Sequence, residues 1–409
     1  MKYSPNKTAL LTTILSLLLL FALAACGGNP AGTSSSVPPA SSLPDVSISE
    51  PPPPQPEELR VTFSAVGDNL VHNGIFLQAQ RRAAEDEGYN FDFCFEQVKY
   101  FYEQFDVNWM NQETLLNDEF APAGYPMFST PYQMGYATYN AGWRVYALSN
   151  NHSYDLGAAG VASTRRVWAD MPEDVVTTGF FTSREDDSGI AMHEVNGMTI
   201  AYLSYTDHTN GLPTPQNTEA FVIYTSEEDV IERQVRRAAE LADAVVVGIH
   251  WEVENSHQVT DKQRTLAANL ADWGATAIIG THPHVIQPIE YITGTETGRS
   301  IPVAYSLGNF LSAQAQANQL VGYTFAFEMV QIAQPDGTRG EVTVENVKAY
   351  PTVTHYGSGY ADIHTYMFRD YTEELATSHG VRARYPNFNM AYIQELLQTY
   401  VSDEYLVLD

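Results

Sequence analysis

The chain has 409 residues, 44% of them hydrophobic, which is ample for one large α/β domain with additions or for two domains. Its 49 acidic residues against 21 lysines and arginines leave a formal net charge of −28, with no basic run to offset it. Such a surface repels nucleic acid and anionic lipid headgroups, so neither is expected as a partner.

Lys2 and Lys7 precede an apolar run from Ala9 to Ala25 that closes in Leu23-Ala24-Ala25-Cys26. A basic start, an apolar stretch and small residues before a cut describe a secretory signal. The ending resembles a bacterial lipobox, in which Cys26 is lipidated and tethers the protein to the outer face of the cytoplasmic membrane. Residues 27–58 are rich in Gly, Ser and Pro, end in Pro51-Pro52-Pro53-Pro54 and lack hydrophobic periodicity; they read as a disordered spacer. With Cys26 assigned, only Cys94 of the two cysteines remains, so the domain stands on its core without an internal disulfide. Cys94 lies on an apolar helical stripe and reads as core filler.

From residue 59 helices and strands alternate. Leu59–Val66 is a strand ending in Gly67-Asp68, and Phe93–Phe105 carries helical spacing. Val107–Met110 is a strand ending in Asn111-Gln112-Glu113, and Trp143–Leu148 is one ending in Ser149-Asn150-Asn151-His152. A helix is expected over Gly157–Trp168, a hairpin over Met192–Tyr205 turning at Asn196-Gly197, and a helix capped by Ser226 running to Leu241. Strand 244–249 ends at His250, helix 261–273 closes on Gly274, and strand 276–280 ends in Thr281-His282-Pro283-His284. Ile301–Ser306 is a strand ending in Leu307-Gly308-Asn309; segments 322–333 and 340–349 look antiparallel, and helices are expected at 370–379 and 388–402. The domain is drawn as 59–350, with a C-terminal helical extension of unassigned role over 351–409. The alternation with added hairpins predicts a mixed α/β fold, two sheets packed face to face with helices outside.

The strand ends carry the chemistry. Asp68, Glu113, Asn151, His152, His250, His282 and His284 all sit at or just past a predicted strand terminus. Oxygen and nitrogen donors from many strand tips, converging on one rim, are what a two-metal hydrolase needs.

These residues resemble the CapA family, the poly-γ-glutamate capsule synthesis proteins of the metallophosphoesterase (calcineurin-like) superfamily. The matching text is Val66-Gly67-Asp68-Asn69-Leu70, Asn111-Gln112-Glu113, Asn150-Asn151-His152-x-x-Asp155, His250-Trp251-x-x-Glu254, Gly280-Thr281-His282-Pro283-His284 and Leu307-Gly308-Asn309-Phe310. The resemblance implies a four-layer αββα double-sheet sandwich holding two divalent metal ions (Mn, Fe, Zn or Mg). It implies that Asn151, His250 and His282 serve one ion, Asp68 and His284 the other, and that Glu113 bridges. His152, beside Asp155, is the implied general acid. His72, Glu254 and Asn309 are further candidate ligands, His72 because the superfamily's usual Asp-x-His reads Asp68-Asn69-Leu70 here. The implied role is a surface-anchored, metal-dependent hydrolase acting in synthesis, attachment or export of an anionic capsule polymer, with that machinery as partner. A non-catalytic metal-stabilised scaffold and a γ-glutamyl amide hydrolase are the rival readings.

Overall fold

The computed structural model describes residues 55–182, 184, 190–212, 220–251 and 253–409. The expected signal, Cys26 and the expected spacer up to residue 54 therefore lie outside the described residues, as does Glu252; Glu57 and Glu58, expected in the spacer, instead open the first strand, where they pair with Ala333 and Ile332. Among the described residues no helix is long and apolar enough to cross a membrane.

Two sheets form the centre. The first runs, in spatial order, His364–Met367, Thr343–His355, Val321–Ala333, Glu57–Asn69, Val107–Asn111, Val145–Ala147 and Val176–Thr178, with the short Asn309–Leu311 pairing onto the end of Glu57–Asn69. The last four of that order are parallel to one another. The second runs Ile289–Thr293, Ser300–Ala304, Ala277–Thr281, Ala244–His250, Met198–Thr206 and Ala191–Val195. Its four central strands are parallel, so their C-terminal ends all emerge at one edge.

The continuous apolar run Val245–Ile249 is explained by burial on both faces. Ala244 and Val246 join Val61, Phe63 and Trp109 of the first sheet in one core. Val245, Val247 and Ile249 face the opposite way, into a second core with Val230, Ile231 and Val235 of helix Glu228–Leu241 and Leu266 and Leu270 of helix Asp261–Trp273. Helices Gln133–Asn140 and Gly157–Ala169 supply Met134, Val167 and Trp168 to the first core. The result is the expected four-layer αββα sandwich.

Helix Asp261–Trp273 begins in a capping box between Thr260 and Gln263 and stops at Gly274, whose φ of 114° only glycine adopts without strain. The hairpin turn also falls where expected, with Asn196 and Gly197 both at positive φ.

Three expectations are corrected. The helical spacing over 93–105 yields a 3-10 turn at Asp92–Cys94 and a single α turn at Lys99–Tyr102, because the aromatic side chains pack inward from an irregular segment. Ser226 does not cap the next helix; Glu227 occupies the N-cap position, accepting from the Tyr224 backbone N–H and pairing with Arg184. Strand Thr343–His355 runs through position 350, His364–Met367 adds a further strand beside it, and Phe388, Ile393, Leu397 and Val401 enter the first core. The tail from 351 is therefore structurally continuous with the main body. Cys94 is a buried free thiol in that core.

Candidate metal centre

The parallel strands deliver their polar termini to one rim because each ends where its apolar run ends. Asp68 lies at the end of Glu57–Asn69, in register with Asn111 and with Asn309. His250 and Thr281 are register partners on adjacent strands, so His282 follows directly beside His250. Gly280 is needed just before it: a Cβ there would lie 2.0 Å from the Tyr305 carbonyl oxygen. His282 and His284 have φ of 97° and 59°, a left-handed region costing about 1–3 kcal/mol each for such residues. The surrounding strands hold both imidazoles inward against that cost.

All six expected donors meet. Ligating atoms of Asp68, Glu113 and His284 lie within 4.8 Å of one another, and all three residues are buried. Beside them, His250 Nε2 is 3.0 Å from Asn151 Oδ1 and 3.0 Å from His282 Nδ1. Glu113 sits between the two sets: its Oε1 is 3.8 Å from His284 Nε2 and 3.9 Å from His250 Nε2.

Glu113 tests whether the residues fit metal ions. It is 0% exposed, and neither carboxylate oxygen has a hydrogen-bond partner. A buried carboxylate left so costs several kcal/mol unless a cation or proton satisfies it. The 3.0 Å separations among Asn151, His250 and His282 also match neighbouring donors on one ion at roughly 2.1 Å from each. The donor set, two carboxylates with an amide and three imidazoles, suits borderline divalent ions.

The electrostatics follow from burial and crowding. Burial first, then the Asp68 charge, pushes Glu113 well above the usual carboxylate range. Burial first, then the other histidines, drives His250 well below the usual imidazole value, so it is neutral. Its Nδ1 meets Thr281 Oγ1 at 3.0 Å, which leaves Nε2 to face the centre. Burial pulls His284 down, but Glu113 and Asp68 outweigh it and raise its pKa to about 9 in the ion-free site.

His152 lies at the edge of this centre. Its Nδ1 is 2.7 Å from Asp155 Oδ2, which also accepts from the Phe128 backbone N–H at 2.7 Å. Its Nε2 faces inward, 4.0 Å from Glu113 Oε1.

The three further candidates separate. Asn309 Oδ1 is 3.1 Å from His284 Nδ1, so Asn309 orients the ring. His72 is turned away: its Nδ1 is held by the Leu70 carbonyl and the Ala313 N–H, and Phe128 stands between it and His152. Glu254 is exposed on the loop after Trp251, outside the buried donor group.

Sequence reasoning missed three neighbours. Asn111 donates to Asp68 Oδ1 at 2.7 Å and approaches His250 Nδ1 at 3.4 Å. His208 sets its ring edge-on to His282, with centroids 5.2 Å apart, and Asn210 Nδ2 lies 3.4 Å from His152 Nδ1. The available signal was that Met198–Thr206 is another parallel strand with a histidine just past its end.

The four-layer αββα sandwich gathers carboxylate, amide and imidazole donors at its strand ends, the arrangement of a candidate divalent-metal site. The model of the family described as bacterial capsule synthesis protein PGA_cap matches residues 62–314, more than half of the chain, and the chain belongs to that family. Among curated relatives, the PGA biosynthesis protein CapA of Bacillus subtilis (strain 168) is 33% identical over 211 residues, 49% of this chain and 53% of that one. The capsule biosynthesis protein CapA of Bacillus anthracis is 32% identical over 185 residues, 44% of this chain and 42% of that one. The chain thus spans about half the length of the curated relatives it matches. Among solved structures, the NAD nucleotidase of Haemophilus influenzae aligns at a TM-score of 0.42 with 9% identity, over 84% of this chain and 60% of that one, too distant to bear on function.

Proposed function

We propose that this chain is a cell-envelope, metal-dependent hydrolase of phosphoesterase type that serves the synthesis, attachment or export of a capsule-like polymer. The observation that carries the reading is Glu113, a buried carboxylate without a hydrogen-bond partner, standing between two donor sets. Asn151, His250 and His282 would hold one divalent ion and Asp68 and His284 a second, with Glu113 within reach of both donor sets. The chemistry such ions supply is Lewis acidity towards the scissile group and activation of water at neutral pH. His152 presents Nε2 to the leaving group and gives up a proton there, while Asp155 accepts from Nδ1 and stabilises the imidazolium. Asn309 and Thr281 keep the ligand rings in register. The capsule role is supported by family membership and by the names of the CapA relatives. Lipidation at Cys26, supported by the lipobox-like sequence, would keep the enzyme at the membrane on its spacer.

The test is metal analysis of the purified protein together with turnover of a panel of phosphomonoesters, phosphodiesters and γ-glutamyl amides. Stoichiometric divalent metal, phosphoester turnover abolished by chelation, and loss of both in His250→Ala are expected. Metal without turnover on any of the panel would replace the hydrolase with a scaffold, and turnover confined to γ-glutamyl amides would change the reaction class.

A further inference from the structure

One aromatic ring away from His152 lies a cavity of about 340 Å³, lined by His72, Asn73, Tyr125, Ala313, Gly359 and Tyr360. Phe128 is the wall between: its ring meets His152 edge-on at 4.7 Å and His72 edge-on at 5.4 Å. The cavity and the His152 side of the centre therefore share Phe128 as a common neighbour.

Its two tyrosines are held open on constrained loops. Tyr125 is 76% exposed at the tip of a tight hairpin whose base is the paired backbone of Ala123 and Ser129, at 2.9 Å in both directions. Gly124 lets that tip lie directly on Asn73: a Cβ there would come within 1.8 Å of Asn73 Oδ1 and 2.9 Å of its backbone nitrogen. The other flank of the hairpin is fixed by the Phe128 N–H on Asp155. Across the cavity Tyr360, 37% exposed, holds a φ of 60°. Gln78 pins its carbonyl at 2.7 Å, and the Tyr356 ring backs its own at 4.7 Å. The Tyr125 ring meets Phe128 edge-on, with centroids 6.5 Å apart.

Apart from His72, the lining contains no acidic or basic side chain. Asp362, two residues past Tyr360, is paired with Arg82 at 2.5 Å. His72 Nδ1 lies 3.0 Å from the Leu70 carbonyl and 3.2 Å from the Ala313 N–H, donating to the one or accepting from the other according to tautomer; Nε2 is left as its polar atom for the cavity, and burial holds its pKa down to about 4. The cavity thus offers two π faces with hydroxyls, one imidazole nitrogen and one amide, all uncharged. A polyanion gains nothing from it and meets the repulsion of a chain with net charge −28. A sugar ring uses all of it: C–H faces on the tyrosine rings, hydroxyls on Asn73, His72 and the phenols.

We propose that this cavity is a subsite for an uncharged carbohydrate ring attached to the scissile group. Its place on the leaving-group side rests on the hydrolase reading; its affinity for sugar does not.

The experiment therefore reads binding in the chelated protein, where no turnover occurs. Saturation-transfer NMR and titration with N-acetylglucosamine and its β-1,4 disaccharide are run against a γ-glutamyl trimer and adenosine. Expected is sugar binding, stronger for the disaccharide, weakened about three- to tenfold in Tyr125→Ala, the scale of one lost aromatic contact. Tyr125→Phe should retain most of it, and the melting temperature of both variants should match the parent because the side chain is exposed. Tyr360→Ala should weaken binding similarly; if it also lowers the melting temperature, Tyr125→Ala alone decides. No sugar binding, sugar binding indifferent to Tyr125, or preferential binding of the trimer or of adenosine overturns the proposal. Failure of the hydrolase reading looks different: sugar binds as expected, yet no phosphoester is turned over with metal restored.

Discussion

Replacing Glu113 with glutamine should affect the protein in opposite directions with and without metal. The side chain is 0% exposed with neither oxygen hydrogen-bonded, and it faces histidine nitrogens and the buried carboxylate of Asp68. In chelated protein Glu113→Gln removes a buried ionisable group without changing volume. The relief is the cost of burying or protonating that carboxylate beside Asp68, which the amide does not carry, on the order of 1–3 kcal/mol. For a domain of this size that is a melting temperature raised by a few degrees. With divalent metal the sign reverses, because a neutral amide replaces the carboxylate that reaches both donor sets. A hundredfold loss of affinity withdraws about 2.7 kcal/mol of ligand-linked stability. Calorimetric melting of both proteins at pH 8, with chelator and with saturating metal, should show the curves crossing. A variant destabilised equally under both conditions would refute the reasoning, since Glu113 would then be a structural group and not a ligand.

His152→Ala should keep metal content and melting temperature while lowering kcat on the order of 10²–10⁴, the usual contribution of a positioned acid–base group; a parallel loss of metal would instead make it a ligand. Metal uptake should release protons: His284 is raised to about 9 in the ion-free site, so at pH 7 it carries a proton that a bound ion displaces. Calorimetry in buffers of different ionisation heat should find net proton release, with affinity rising from pH 6 to pH 8. The same shift stabilises the ion-free protein fully below pH 6.5 and is lost as pH rises through about 9. In the tail, burial and then the neighbouring His364 depress His355 to about 4, and burial chiefly depresses His379 to about 3. The unfolded chain binds more protons there, so stability should fall below pH 6.5, by up to about 1.4 kcal/mol per pH unit for each histidine. His379→Gln should flatten the urea-denaturation profile between pH 6.5 and 4.5; an unchanged slope would show that these rings are not the acid-sensitive groups.

Much of the centre is legible in the amino-acid sequence alone. Asp68, Glu113, Asn151, His250, His282 and His284 each follow an apolar run that ends abruptly, and a polar residue at the end of a buried strand is hard to explain by packing. The apolar run from 244 and the glycine at 274 likewise mark strand and helix limits to within a residue. What local pattern could not supply was register between sheets. Sequence spacing does not say that Glu113 stands midway between His250 and His284, because they lie on different sheets, and the separation depends on how closely the two sheets pack. Nor could it exclude Glu254 and His72: the first projects to solvent and the second is captured by the Ala313 loop. His208 and Asn210 were overlooked because their strand was read only as half of a hairpin, although Met198–Thr206 also pairs in parallel with Ala244–His250. The local pattern of the tail shows helical stretches and assigns them no role. Its place came from long-range pairing, His364–Met367 beside Thr343–His355 and residues 405–407 on Ala349. Strand ends and their chemistry are local properties of composition and period, set within about ten residues; which ends meet, and what lies beyond Phe128, is decided by packing between segments hundreds of residues apart.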